Sequence, residues 1–260
     1  MDSPNPFMPD PPAMAANLQE RFIRMPRPIF AAMDGALFDD LPGDLTRKGV
    51  FCRSLFLGAD RETELNGPWL VSITNDEVEA YLAKLASEQP CAVFWSCPEG
   101  ERALWHHLRT INEILIPKSA SSNPGGADPY NNTSDSIRVT FRHWDPNVLA
   151  NTIPALTPIQ LSRLFGPAKE IVLNSHDHGG RKSATRTDDL PEPSRGLLKL
   201  DELTIQLMER ERQEVPARRR MLYLRYVAPD HTRDMSDGGL DEVHQNGRTE
   251  DQSVWCRRRR

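Results

Sequence analysis

The sequence predicts an α/β fold, a mixed sheet with packed helices, followed by a C-terminal helical appendage. Two observations lead to this prediction. Before residue 174, segments with the two-residue period of β-strands alternate with segments that repeat apolar residues at helical spacing. After residue 196, apolar residues recur at helical spacing alone. Alternating strands and helices are typical of a sheet that carries helices on its faces.

Composition narrows the class of protein. The chain has 260 residues, of which 38% are hydrophobic, and its formal net charge of -5 argues against a general nucleic-acid binder. No apolar run approaches the roughly 20 residues of a membrane-spanning helix, and the N-terminus lacks the basic start and apolar core of a secretory signal. The cysteines lie at no zinc-like spacing, which favours reduced thiols in the cytoplasm. They are Cys52, Cys91, Cys97 and Cys256.

The first half of the chain alternates strands with helices. Residues 1–28 form a Pro-rich arm, predicted to be partly disordered apart from a short helix over Ala13–Arg24. Capping boxes over Thr74–Glu77 and Ser96–Glu99 predict the starts of two further helices. Strands are predicted over Ile29–Met33, Val50–Phe56, Trp69–Ile73 and Cys91–Trp95.

A hairpin is predicted next. Ile137–Phe141 alternates apolar and polar residues, as a half-buried strand does, and we expect it to pair with Ile114–Ile116. The residues between them, 117–136, are turn formers over an unusual length, which indicates either a mobile excursion or a binding loop. A mobile excursion is the favoured interpretation.

Two helices are predicted after the hairpin. Asp145 can accept a hydrogen bond from an unpaired amide at a helix start, and Pro146 suits the first helical position because it has no amide to leave unpaired. Thr157 and Gln160 form a capping box for the second helix. Gly166 is placed where a left-handed residue ends a helix.

The last part of the chain changes character. One further strand, near residue 172, completes an α/β domain over 29–173. The polar, glycine-containing residues 174–196 are interpreted as a linker, and 197–228 as a helical appendage that Pro216 interrupts. Residues 229–260 are predicted to be a disordered tail.

Several short runs stand out between residues 29 and 167. They are MDG (Met33–Gly35), SLFLG (Ser54–Gly58), GPWL (Gly67–Leu70), RHWDPNVL (Arg142–Leu149) and LTP with FGP (Leu156–Pro167). In content and order they resemble the motifs of the effector adaptors of bacterial type VI secretion. That family usually has an aromatic residue at the position of His143 and an arginine at Asn147, so a contact made by that arginine is not carried over.

The resemblance implies a cytoplasmic adaptor or chaperone that binds a cognate effector and loads it onto the VgrG spike. With no catalytic motif in the sequence, we expect binding without catalysis, with no cofactor, metal, nucleic acid or membrane. The apolar residues beside Arg218–Arg220 indicate either a docking stripe or a solvated face. Tryptophan and arginine are frequent in binding hot spots. The candidate protein-binding residues are Trp69, Arg142, Trp144, Asp145, Leu203, Leu207, Arg219 and Leu222.

Two other functions compete with this one. His176, Asp177 and His178 carry groups that bind zinc, which would suit a metal-dependent hydrolase, although a solvated loop is the simpler interpretation. Asp34 and His143 are candidate catalytic groups in positions that are more typical of turns. Arg257–Arg260 would suit a regulatory module that binds nucleic acid.

Overall fold

The computed structural model describes residues 11–120 and 135–236. The helices are α1 Pro11–Arg24, α2 Leu41–Arg47, α3 Arg61–Asn66, α4 Asp76–Glu88, α5 Glu101–Arg109, α6 Pro146–Thr152, α7 Pro158–Phe165, α8 Glu202–Val227 and α9 Pro229–Thr232. The strands are β1 Ile29–Asp34, β2 Cys52–Ser54, β3 Pro68–Ile73, β4 Ala92–Ser96, β5 Glu113–Pro117, β6 Ser136–Thr140, β7 Glu170–Ser175, β8 Gly180–Thr185 and β9 Leu198–Lys199. The predicted α/β class is confirmed.

The main sheet has six strands in the order β2-β3-β1-β4-β7-β8, and each neighbouring pair is antiparallel. Helix α4 connects β3 to β4, but β1 lies between those two strands, so they are not neighbours. A smaller sheet has the order β6-β5-β9, and its β5–β9 pair is parallel. The predicted mixture of parallel and antiparallel pairs is therefore found only in the smaller sheet. The main sheet differs from the prediction because the order of elements along the chain does not reveal which strand is inserted between two others.

Both faces of the main sheet are covered. Side chains alternate between the faces of a strand, so Phe30 of β1 joins one apolar cluster while Ile29 and Met33 join the other. One cluster packs the sheet against α5, α6 and α7, and the other packs it against α1, α2 and α4. The sheet is thus the middle of three layers, which explains why all five residues of β4 are buried.

The signals in residues 137–167 are confirmed. Asp145 caps α6 by accepting a hydrogen bond from the Asn147 amide at 2.9 Å. Thr157 and Gln160 make both bonds of the predicted capping box. Gly166 ends α7 with φ of 53°. Strands β5 and β6 form the predicted hairpin, although residues 121–134 of its long loop lie outside the described residues.

Two predicted helix starts are wrong by a few residues. Asn75, and not Thr74, caps α4. Helix α5 begins after Gly100, which has φ of 90° and makes no side-chain cap. The serine expected to cap that helix, Ser96, is instead the last residue of β4, and its hydroxyl donates to the Pro26 carbonyl at 2.5 Å. For Ser96, pairing within the sheet therefore takes precedence over the helix cap that the local pattern suggested.

The short helix predicted in the N-terminal arm is confirmed as α1, and its packing into the core was not predicted. Residues 1–10 lie outside the described residues, but α1 belongs to the core. Leu18 and Phe22 are fully buried, and the Phe22 ring packs on Phe94 of β4 with 4.5 Å between ring centroids. These two residues are four positions apart, and this helical spacing places them on the one face of α1 that packs against the sheet.

The prediction of a linker over 174–196 is wrong for its first half. Strand β7 extends to Ser175, and β8 pairs with it along the edge of the main sheet. Gly179 and Gly180, interpreted as linker residues, have φ of 82° and 91° and shape the turn between the two strands. Strand β8 is polar because most of its side chains are exposed, as is usual at an edge.

The appendage also differs from its prediction. Strand β9 joins it to the smaller sheet, and α8 runs through Pro216 without interruption. Arg218 stabilises the helix across this proline, since its guanidinium lies 2.6 Å from Glu211 and 2.9 Å from Glu214. The first part of the predicted disordered tail contains α9, while residues 237–260 lie outside the described residues.

Candidate functional site

The short motifs of the sequence meet where β1 ends and β3 begins. Asp34, at the end of β1, is 3% exposed and accepts a hydrogen bond from Arg142, with 2.5 Å between Oδ2 and Nη2. Its other oxygen accepts from the Ala36 amide and caps a turn of 3-10 helix. Arg142 also lies 3.5 Å from Asp145. The guanidinium therefore joins two acidic residues from separate motifs.

Close backbone contacts join the next two motifs. The Gly35 amide donates to the Gly67 carbonyl at 3.0 Å. A side chain at Gly35 would place its Cβ 2.1 Å from the Leu65 carbonyl oxygen, and one at Gly67 would lie 2.6 Å from the Phe56 ring. Phe56 in turn meets the edge of Trp144 at 5.7 Å between centroids. Glycine suits both positions, because backbone oxygens occupy the space beside Gly35 and the Phe56 ring occupies the space beside Gly67.

A buried histidine completes this cluster. His143 is fully buried, and its Nε2 lies 2.9 Å from Asn112 Oδ1, while the Asn112 amide donates to the Leu55 carbonyl. Burial, together with the nearby His107, lowers the pKa of His143 to about 3. The imidazole is therefore neutral at neutral pH and serves as a hydrogen-bonding core residue. Asp34 and His143 are thus engaged in internal contacts.

The three tryptophans named in the sequence differ in their exposure to solvent. Trp144 is 4% exposed and Trp95 is fully buried, so neither ring is on the surface. Trp144, a predicted binding residue, packs its ring against Phe56 and His143. Trp69 is half-buried against the apolar cluster that contains α1. A pattern of residue types does not show which tryptophan faces solvent.

Helix α8 presents the predicted apolar residues to solvent. Of its 26 residues only Thr204 is buried. The large apolar residues that are exposed on this helix are Leu203, Leu207, Leu222, Tyr223, Tyr226 and Val227. Leu203 is 64% exposed and Tyr226 is 54% exposed. A helix with this pattern leaves apolar surface available to another molecule.

Polar contacts hold α8 on the domain. Gln160 of α7 donates to Asp201, the cap of α8, at 3.1 Å and accepts from the Thr204 hydroxyl at 3.1 Å. Farther along, Arg219 makes two hydrogen bonds of 2.6 Å to the Asp177 carboxylate. Arg219 is thus engaged within the chain, while its neighbouring leucines and tyrosines are exposed.

The His176–Asp177–His178 cluster forms a single turn of 3-10 helix between β7 and β8. Its side chains have separate partners. Asp177 binds Arg219, His178 Nδ1 lies 2.9 Å from the Ser175 hydroxyl, and His176 Nε2 lies 3.4 Å from the Asn174 side-chain nitrogen. Within residues 11–120 and 135–236, no group of three His, Cys, Asp or Glu side chains is arranged to hold a metal ion.

An open cleft of about 810 Å³ was not predicted from the sequence. Leu57, which is 69% exposed, lies on its wall. Arg109 also lines the cleft and stacks over the Trp105 ring at 4.5 Å. Trp105 and Arg109 are four residues apart on α5, and this spacing places them on one face of the helix. That spacing is the signal from which the pair is predictable. Arg257–Arg260, the candidate nucleic-acid contact, lies outside the described residues.

Fold and site together define a three-layer α/β domain with an exposed, partly apolar C-terminal helix. A family model described as a domain of unknown function, DUF4123, matches residues 29–163. The chain belongs to this family. The match covers nearly the same stretch as the short motifs. No curated protein and no solved structure matches the chain. Where the chain is described, no helix is both long enough and apolar enough to cross a membrane.

Proposed function

We propose that this protein is a type VI secretion adaptor that binds a cognate effector in the cytoplasm and loads it onto the VgrG spike. The proposal combines membership of the DUF4123 family with the resemblance of the short motifs to those of effector adaptors. It adds that the protein acts by binding alone, without catalysis and without a cofactor or metal.

The observation that carries the proposal is the surface of α8. Burying apolar side chains drives most protein association, and a protein that has no partner gains nothing from exposing several of them on one long helix. Leu222 and Tyr226 lie four residues apart and so share one side of the helix, as Leu203 and Leu207 do. Anchors at this spacing are typical of a helix that enters a partner's groove.

The motif cluster supports the same function in another way. Asp34, Arg142 and His143 join three separate segments through internal contacts, which makes the domain rigid beside the cleft that Leu57 and Arg109 line. A rigid surface loses little conformational freedom on binding, and this favours affinity. The domain therefore offers two surfaces for two partners, the cleft and α8.

Co-purification tests the proposal. The full chain is expressed with the effector encoded by a neighbouring gene, and separately with VgrG. We expect a stable complex with each. Leu222→Asp and Leu203→Asp, each on α8, should weaken binding to one partner by tenfold or more, because a carboxylate replaces an apolar anchor. The matched control is Gln206→Asp, which adds the same charge at an exposed polar position of the same helix. A folded protein that binds neither partner would contradict the proposal.

A further inference from the structure

A cavity of about 330 Å³ lies between α8, α6 and the β7–β8 edge of the main sheet. Its walls are largely apolar. Leu149 and Ile153 line it on one side, and Ile171 and Leu173 of β7 form its floor. The volume is at the lower end of the range of small-ligand sites. The cavity is distinct from the exposed surface of α8 and from the cleft at Leu57.

One buried polar atom belongs to this cavity. His178 lines it and is 8% exposed, and its Nε2 has no hydrogen-bond partner among the described residues. The nearest carboxylate oxygen, on Glu211, is 4.0 Å away, which is beyond hydrogen-bonding distance. That carboxylate is bound by Arg218 at 2.6 Å. A buried polar atom without a partner is costly, so a ligand that satisfies Nε2 gains this free energy.

A chain of hydrogen bonds determines what Nε2 can bind. The Ser175 hydroxyl donates to Asn147 Oδ1 at 2.6 Å. Its single proton is thereby used, so its oxygen must accept from Nδ1–H of His178, which lies 2.9 Å away. Nε2 is then the bare nitrogen of a neutral imidazole and acts as an acceptor. Burial lowers the pKa of His178, as does Arg218, against the opposing effects of Glu211 and Asp177, and this keeps the ring neutral.

Charge and hydrogen-bonding capacity both restrict the ligand. Lys182 and Arg218 line the cavity and disfavour an ammonium group. A carboxylate has no proton to donate to the lone pair of His178 Nε2. The remaining ligand is a neutral apolar body with one hydrogen-bond donor. Indole and phenol rings combine these two properties. We infer that the cavity binds a neutral aromatic ring that carries a single N–H or O–H donor, which hydrogen-bonds to His178 Nε2.

Binding of indole to the full chain tests the inference. We expect saturable binding in calorimetry or ligand-observed NMR. The matched ligand is 1-methylindole, which has nearly the same shape but no N–H, and it should bind at least tenfold more weakly. His178→Phe keeps an aromatic ring and removes the acceptor, so this variant should bind both ligands equally weakly. Ala184→Phe fills the cavity from β8 and should abolish binding of both.

Circular dichroism and the unfolding midpoint establish that each variant is folded. If Ala184→Phe does not fold, the comparison of the two ligands in wild type and His178→Phe still decides. If the folded wild type shows no saturable binding of indole, the inference is overturned. That result is expected if only a water molecule bridges Nε2 and Glu211. Equal binding of indole to wild type and His178→Phe also overturns it.

The ring has two possible sources, a free small molecule or a side chain of a polypeptide. The tripeptide N-acetyl-Gly-Trp-Gly-amide distinguishes them. If the tripeptide competes with indole, a tryptophan of a partner chain is supported as the natural ligand. If indole binds tightly and the tripeptide does not compete, a free small molecule is supported. The site does not depend on the adaptor role, because indole binding is measured without an effector or VgrG.

Discussion

Arg142 and Asp34 are 108 residues apart in the chain, yet their side chains meet at 2.5 Å. The carboxylate is buried at the end of β1, whereas the arginine side chain is half-exposed. The pair joins the motif that follows β1 to the motif that starts α6. Any loss of the arginine leaves a charged group inside the protein without its countercharge.

Arg142→Met should therefore lower the free energy of unfolding by about 1–3 kcal/mol. Removing one partner of a fully buried pair costs about 3–5 kcal/mol, and solvent access on the arginine side reduces that cost. Urea unfolding measures the change. Arg138→Met is the matched control, because Arg138 and Glu113 are both well exposed and such pairs contribute about 0–1 kcal/mol. Equal losses in the two variants would contradict the prediction.

The fold was predictable where local chemistry decides it. The cap at Asp145 and the box at Thr157 act within four residues, so the sequence alone reveals them. Strand β8 was missed because the pattern rule expects apolar alternation, and an edge strand that exposes Arg181 and Lys182 does not show it. Its turn at Gly179 was mistaken for a linker for the same reason.

The site was less predictable than the fold. The Arg142–Asp34 pair depends on strand order, which no local pattern specifies. The cavity at His178 depends on how α8 lies against β7, and the burial of Trp144 depends on packing against Phe56. By contrast, the helix that carries Leu203 follows from the helical spacing that the sequence displays.

Gly35 provides a second test of the motif cluster. Gly35→Ala should destabilise the fold by about 3 kcal/mol or prevent folding, because the new Cβ would meet backbone oxygens at 2.1 and 2.5 Å. Gly49→Ala is the control. Gly49 has φ of 69° but open space around it, so only the left-handed backbone strain of about 1–2 kcal/mol applies. Thermal and urea unfolding compare the two variants, and a milder effect at Gly35 would argue against the tight contact.

Two buried histidines should make stability fall in acid. Burial, together with the Arg163 and Arg186 charges, lowers the pKa of His107 to about 4, and burial is the main cause that lowers that of His143 to about 3. The unfolded chain binds protons below about pH 6.5, where both folded imidazoles are still neutral. The contribution of these two histidines to the free energy of unfolding is therefore fully present above the unfolded pKa. It decreases as the pH falls below that value, and the decrease is complete below the folded pKa values.

Between pH 7.5 and 5.5, each of these histidines should lower the free energy of unfolding by about 1.4 kcal/mol. Urea unfolding at the two pH values measures the total. His143→Gln keeps a hydrogen-bonding group near Asn112 and removes one titrating ring, so the difference between the two pH values should shrink by about half of the two-histidine effect. A variant with the full wild-type difference would show that His143 is charged in the folded protein.

The cysteines should differ sharply in reactivity. Cys91 is fully buried, and burial raises its pKa to about 12, whereas Cys52 is partly exposed. Thiolate and access both control reaction with a disulfide reagent. In a Cys256→Ser background we expect native protein to react at Cys52 first and at Cys91 only after urea is added. Cys52→Ser should remove the early phase, and an early phase that persists would indicate that the core opens.

The ion pair between α8 and the turn after β7 makes this contact sensitive to ionic strength. Arg219 and Asp177 hold the helix through an ion pair whose arginine is 59% exposed, and dissolved salt screens such charges. The apolar layers around the main sheet gain no such sensitivity. In concentrated salt this contact between the C-terminal half of α8 and the turn after β7 should weaken, whereas the apolar packing of the main sheet should not.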